Sequence, residues 1–246
     1  MTTNGTLIDE ELAKKLAKIK NLRLTFSVDG PREIHDKIRG EGNFDKTITA
    51  IKYIKKYKDG LYPMLNTNTT FSAELLGHTE ELIKELILMG VENISFQHLW
   101  FTDKKHAQLT RNILKKEFLI DDNSMESHII ETFYSEFIKK LAIEVEHLQN
   151  KRFRVAVRVN FRLSKEEIIK YYTDLNWSKK KFCNIPWTKI LIKANGDAMF
   201  CPDEWITKYK LGNIRENSII DLWNSNEAKR FREVLLRYKL FPICTR

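Results

Sequence analysis

Cysteine is scarce in this chain, and long apolar runs are missing altogether. Only three of the 246 residues are cysteine, Cys183, Cys201 and Cys244, and all lie in the last quarter. An odd number without a secretory leader argues against a disulfide framework, which leaves thiolate ligation or plain burial. No apolar stretch approaches the roughly 20 residues that span a bilayer, so no membrane-crossing helix is expected. Met1-Thr2-Thr3-Asn4-Gly5 has neither the basic segment nor the apolar core of a signal peptide. The expected compartment is the cytoplasm. Internal repeats and low-complexity tracts are absent too, which excludes solenoid and linker-like readings.

The chain does have enough apolar residue, 42%, to bury a core in one large or two smaller domains. Its net charge of +9 raises the question of nucleic acid. The lysines are spread through helical stretches, residues 10–20 and 46–58, where they read as solvated faces. Only Lys179-Lys180-Lys181 and the series Arg152, Arg154, Arg158, Arg162 are locally dense. An RNA-binding module would rest on charge alone, and nucleic acid is not an expected partner.

The hydrophobic pattern alternates between short β-rich runs and helical ones. Residues 2–7 read as the end of a strand. Asp9 caps a helix over 10–19 whose face carries Leu12, Leu16 and Ile19. Residues 22–28 read as a strand ended by Asp29-Gly30-Pro31, 45–57 as a helix, 62–70 as a strand, 79–88 as a helix and 91–97 as a strand. Residues 101–123 read as polar and irregular, 124–149 as one long helix, and 152–162 as a strand. Strands separated by helices of 10–15 residues imply βα units and a parallel sheet, an α/β fold. The character changes near residue 178, where a boundary divides 1–178 from 179–246.

Thr3-Asn4-Gly5-Thr6 and Ser27-Val28-Asp29-Gly30-Pro31 both fall at the C-terminal ends of strands, the end that carries chemistry in α/β barrels. Short polar side chains there suit the polar edges of a ligand. On chemistry alone, Asn-Gly and Asp-Gly-Pro are equally turn formers, and that simpler reading has the advantage. His35, in Ile34-His35-Asp36, reads as ordering its loop. His98, before Leu99-Trp100-Phe101, reads as packed among aromatics, since a lone histidine has no ligand spacing.

The run L-x-F-S-V-D-G-P-x-x-I-H-D-x-I-R-G-x-G-x-F over residues 24–44 resembles the fourth strand and following loop of radical S-adenosylmethionine (radical SAM) barrels. T-T-N-G-T-L-I is similar to the third strand, N-T-N-T-T at 66–70 to the fifth, and Ile94-Ser95-Phe96-Gln97 to the sixth. The resemblance implies a partial (β/α) barrel of about four strands, with Asn4, Ser27, Asp29 and Asn68 at the S-adenosyl-L-methionine and substrate pocket. It also implies a C-x3-C-x2-C loop and a Gly-Gly-Glu-Pro segment upstream. No C-x3-C-x2-C occurs in these 246 residues. The expectation is therefore a chain truncated at both ends that does no radical chemistry as it stands.

Residues 187–193 and 197–201 are β-like and joined by Asn195-Gly196, which predicts a two-residue hairpin turn with φ > 0 at both positions. That hairpin returns Cys201 towards Cys183, and thiolates are soft ligands suited to iron–sulfur clusters or zinc. With Cys183-x2-Pro186-Trp187, Cys201-Pro202, Leu211-Gly212-Asn213-Ile214 and Leu222-Trp223-Asn224-Ser225, the region resembles a SPASM-type auxiliary-cluster domain. The resemblance makes Cys183, Cys201 and Cys244 ligands of an auxiliary [4Fe–4S] cluster, with the set incomplete at three. Asp203 and Glu204 read either as supporting groups or as surface charges. The implied intact protein modifies a peptide or protein substrate with a 5′-deoxyadenosyl radical and needs an electron donor. The alternative is a non-catalytic remnant or partner subunit that binds a peptide.

Overall fold

The computed structural model describes residues 1–201 and 205–245. Pro202, Asp203, Glu204 and Arg246 lie outside the described residues. By packing, the chain forms two compact units, Met1–Leu99 with Tyr134–Ile169, and Trp100–Phe133 with Lys170–Arg246. The division near residue 178 follows the change of composition, whereas these units follow the packing.

The first unit is built on five parallel strands in the order β1-β2-β3-β4-β5. They are β1 (Thr2–Thr3), β2 (Arg23–Ser27), β3 (Met64–Thr70), β4 (Asn93–Gln97) and β5 (Ala156–Asn160). Each lies inside one of the five runs read as strands, whereas the resemblance implied a barrel of about four. Between them run α1 (Glu10–Ala17), α2 (Arg32–Arg39), α3 (Asn43–Tyr57), α4 (Thr79–Met89) and, before β5, α6 (Ser135–Asn150). Asp9 does cap α1, its carboxylate accepting from the Leu12 N–H at 2.7 Å. The buried face of α1 differs from the expected one. Leu12 and Ile19 are 39% and 48% exposed, while Ala13, Leu16 and Ala17 are buried. Small residues let this helix pack closely, and reading only large apolar residues misplaced the face by about one position. The core of the unit is completed by Leu24 and Phe26 of β2, Leu65 of β3, Ile94 and Phe96 of β4, and the buried faces of α3, α4 and α6.

In the second unit, α5 (Lys104–Phe118) occupies much of the stretch expected to be irregular. Its lysines mask a sparse apolar stripe, Ala107, Leu114 and Phe118, that joins the unit's core. Asp103 caps it by accepting from the His106 N–H at 2.6 Å. The long helix expected over 124–149 is broken. A 3-10 turn, Ser124–His128, belongs to this unit, and α6 starts only at Ser135. Further along lie α7 (Lys165–Thr173), which passes from the first unit into the second, and a small antiparallel sheet of β6 (Leu191–Ile192), β7 (Asp197–Met199) and β8 (Gly212–Asn213). Two helices follow, α8 (Ile219–Trp223) and α9 (Asn226–Tyr238).

The β6–β7 hairpin forms, but not with the two-residue turn. The Lys193 N–H bonds to the Asp197 carbonyl at 2.9 Å and the Gly196 N–H to the Lys193 carbonyl at 2.8 Å. Of Asn195 and Gly196, only Gly196 has positive φ, at 91°. The loop is thus three residues long and closes on a left-handed glycine, the next commonest hairpin geometry. No helix among the described residues is long and apolar enough to cross a membrane.

Candidate functional site

Two places in the molecule concentrate chemistry, one in each unit. The first is a face of the parallel sheet. Side chains alternate along a strand, and β2, β3 and β4 alternate between buried residues and half-buried or exposed ones. One face carries Leu24, Phe26, Leu65, Ile94 and Phe96. The other is polar from β2 to β5 apart from Met64 and Ala156, the first residues of β3 and β5. Its rows follow the register: Thr25, Asn66 and Asn93; then Ser27, Asn68, Ser95 and Arg158; then Thr70, Gln97 and Asn160.

Parallel sheets are normally apolar on both faces, and barrel interiors are filled by branched apolar residues. A polar face is the signature of a wall facing a polar ligand. Some of its groups satisfy one another. Asn93 Nδ2 donates to Asn66 Oδ1 at 2.9 Å, and Asn160 Nδ2 donates to Ser95 Oγ at 2.7 Å. Asn68 Oδ1 is buried with no hydrogen-bond partner. An orphaned buried acceptor is rare and calls for a ligand or water to fill it.

Of the residues singled out on this unit, Ser27 and Asn68 are brought together as register partners on adjacent strands. Asp29 sits just beyond Ser27, buried, and its carboxylate is engaged at both oxygens. Oδ2 accepts from Arg39 Nε at 2.5 Å, and Oδ1 accepts from the Thr70 N–H at 3.2 Å. Its own N–H donates to His35 Nδ1 at 3.2 Å. Asp29 therefore ties the end of β2 to α2 and to the end of β3. Asn4 is exposed, and its Oδ1 accepts from the Thr6 N–H and hydroxyl at 3.2 and 3.1 Å, a local turn.

His35 is fully buried, and burial holds its imidazole below the ordinary value. It orders the Asp29 loop as a neutral ring. His98 is 1% exposed, packs 5.7 Å from the Phe71 ring, and is pushed by burial down to about 4. It is a packing residue, neutral at pH 7. Asn66, Asn93, Ser95, Gln97, Arg158 and Asn160 were missed as a group. The period-two polar run N-T-N-T-T was the available signal, but only register shows that the rows align.

The second place is a pocket of about 570 Å³, counting the space open at its mouth, where all three cysteines meet. Cys183 precedes a 3-10 turn (Ile185–Trp187), Cys201 follows β7, and Cys244 lies in a second 3-10 turn (Pro242–Thr245). The Cys183 N–H donates to the Lys239 carbonyl at 3.2 Å and the Cys244 N–H to the Phe241 carbonyl at 2.8 Å, so backbone bonds fix two of the three. Pro186, Phe200, Trp205 and Phe231 supply apolar wall, and Lys180 supplies a cation. None of the cysteines is in a disulfide. Burial pushes the Cys244 thiol well up, and the nearby Cys201 and Cys183 sulfurs push it further.

Three soft ligands in a largely apolar, partly covered pocket fit an iron–sulfur cluster better than hydrated calcium or magnesium. Among the described residues, no group of three or more His, Cys, Asp or Glu side chains converges tightly enough for a single ion. A four-iron cluster takes one thiolate per iron, so its ligands surround a volume rather than a point. Three ligands are on hand of the four such a cluster uses.

Two family models match these two places separately. Residues 1–88 match the radical SAM superfamily, and residues 183–246 match SPASM, an iron–sulfur cluster-binding domain. The chain carries a radical SAM domain and a SPASM domain. These domains imply [4Fe–4S] clusters and S-adenosyl-L-methionine as cofactors. Among curated relatives, this radical SAM/SPASM chain is 26% identical over 98% of its length to the cysteine-type anaerobic sulfatase-maturating enzyme of Clostridium novyi, covering 61% of that protein. The chain thus spans about three-fifths of that relative's length. Its fold matches native anSMEcpe with bound AdoMet and Kp18Cys peptide, with TM-score 0.55 and 19% identity, covering 99% of this chain and 64% of that one. It also matches Streptococcus suis SuiB bound to its precursor peptide SuiA, with TM-score 0.56 and 15% identity, covering 92% of this chain and 47% of that one.

Proposed function

We propose that this chain is part of a radical SAM/SPASM enzyme that modifies a peptide or protein, residues 1–178 supplying barrel wall and residues 179–246 the ligands of an auxiliary cluster. The observation that carries this reading is the meeting of three cysteines from three separate segments in one pocket. Cys183, Cys201 and Cys244 would hold the auxiliary [4Fe–4S] cluster, its fourth ligand coming from outside this set. Ser27 and Asn68 would hydrogen-bond S-adenosylmethionine on the polar face. Asp29 would brace that site through Arg39 and the Thr70 N–H, and Asn4 would border it. When bound, the auxiliary cluster would hold substrate or accept an electron. One-electron cleavage of S-adenosylmethionine and the hydrogen abstraction that follows belong to the C-x3-C-x2-C cluster of the family and also need an electron donor. The peptides bound to anSMEcpe and SuiB support a peptide or protein as substrate.

Because C-x3-C-x2-C does not occur in these 246 residues, we also propose that they do not by themselves cleave S-adenosylmethionine. A second reading, a non-catalytic protein that binds a peptide, has that same support. Anaerobic incubation with iron and sulfide is the first test. Brown protein with iron absorbance supports the auxiliary site, and colourless protein refutes it. Release of 5′-deoxyadenosine by these residues under dithionite would overturn both the inactivity and the non-catalytic reading.

The cofactor site has its own test in Asn68→Ala. Removing an orphaned acceptor costs the fold little, because no bond is broken. It removes one ligand hydrogen bond, about 1.4 kcal/mol or tenfold in Kd. Calorimetry is expected to show S-adenosylmethionine binding about tenfold weaker, with the melting temperature of the wild type. Unchanged affinity would remove Asn68 from the site.

A further inference from the structure

Arg232, on α9, is a half-buried cation with no anion beside it among the described residues. Its Nε donates to the Pro186 carbonyl at 2.9 Å and its Nη1 to the Trp223 carbonyl at 2.8 Å. The guanidinium lies over the Phe200 ring at 4.8 Å and over the Trp223 ring at 4.6 Å. Nη2 is buried and has no hydrogen-bond partner. Desolvation holds this arginine below its ordinary value. A buried charge left unpaired is costly, and two neutral carbonyls and two ring faces offset only part of that cost.

The missing anion has an obvious place. Pro186 and Phe200, the groups Arg232 grips, are also walls of the cysteine pocket. Pro186 lies three residues after Cys183, and Phe200 directly precedes Cys201. The cation therefore sits behind the wall that carries two of the three thiols, separated from the cavity by apolar side chains that screen charge poorly. Thiolate-ligated iron–sulfur clusters respond to the charge around them, which is one of the settings of their reduction potential.

We propose that Arg232 is the resident counter-charge of the cysteine pocket, a positioning residue that holds Pro186 and Phe200 in place and raises the reduction potential of a cluster bound there. The proposal rests on the reading of Cys183, Cys201 and Cys244 as cluster ligands.

The test uses the full chain, loaded anaerobically with iron and sulfide, as wild type, R232K, R232Q and R232M. Dithionite delivers the single electron through mediator dyes, and absorbance and electron paramagnetic resonance report the midpoint. At equal iron per chain, R232M and R232Q are expected to have a reduced-to-oxidised ratio about tenfold lower than wild type at the wild-type midpoint, a shift of about 59 mV for a one-electron couple. R232K, which keeps the charge, is expected to stay near wild type. R232Q retains a donor for the Pro186 carbonyl, so it separates charge from packing if R232M melts early. Equal midpoints across the series at equal iron would overturn the counter-charge and leave the ligand assignment standing. A wild type that takes up no iron would overturn the ligand assignment, and the counter-charge with it.

Discussion

Replacing Cys183, Cys201 or Cys244 singly by alanine is expected to abolish stable iron–sulfur loading of this chain. The site starts with three protein ligands where a [4Fe–4S] cluster uses four. Losing even an outer partner of a metal ligand typically costs ~10–100-fold in affinity, so removing a thiolate from a set of three is expected to cost about 100-fold or more. The measurement is iron and sulfide per chain after anaerobic loading and desalting. The alternative, three thiols that merely fill space, predicts a different result. A small buried cysteine behaves as a hydrophobe, so its alanine variant would lower the melting temperature slightly and leave iron uptake unchanged. Iron content that survives all three substitutions would end the cluster reading. Iron uptake separates the two, and a melt on each apo variant shows that lost loading is not lost folding.

The second large effect is structural and falls on Asp122. This carboxylate is fully buried and holds the chain just after the undescribed residues 202–204. Oδ2 accepts from the Thr207 N–H at 2.7 Å and the Lys208 N–H at 2.8 Å, and Oδ1 accepts from the Ser124 N–H at 3.0 Å and from the Ser124 hydroxyl. Burial alone would raise its pKa, but the bonds from Ser124, Lys208 and Thr207 outweigh it and hold the group below the ordinary value. Asp122→Ala strands these donors, at about 3 kcal/mol in all, and is expected to lower the urea midpoint accordingly.

Because the folded pKa is depressed, the carboxylate's contribution is fully present above its unfolded pKa, about 3.9. It is lost as pH falls through the lower folded value. Wild type should therefore lose stability on acidification below about pH 4. Asp122→Asn keeps one acceptor oxygen and should lack that part of the acid limb. An unchanged acid limb in Asp122→Asn would show that the charge contributes nothing.

Where a structural decision depends on nearby residues, the sequence already carried it. The Asp9 cap, the strands leading to Ser27 and Thr70, and the hairpin at Gly196 all depend on neighbours within a few positions, and these were legible. Helix α5 was not, because five apolar residues among many charges, three of them buried, give a weak periodic signal that counts only when a core receives them. The break between Ser124 and Ser135 was hidden for a related reason. Residues 124–149 have continuous helical propensity, but the 3-10 turn packs in one unit and α6 in the other, so tertiary context overrides it.

The family and its cofactors were readable from motifs, since a strand end such as Ser27-Val28-Asp29-Gly30-Pro31 and the spacing around Cys183 and Cys201 are local records of a shared fold. What only the tertiary structure decided is which distant residues face one another. Register aligned Ser27, Asn68, Ser95 and Arg158 into one polar row and left Asn68 Oδ1 without a partner. The chain's return brought Cys244 to Cys183 across some sixty residues and set Arg232 behind them. Such convergence has no local signature, because backbone and side-chain preferences act over a few residues, while a pocket is closed by packing across the whole unit.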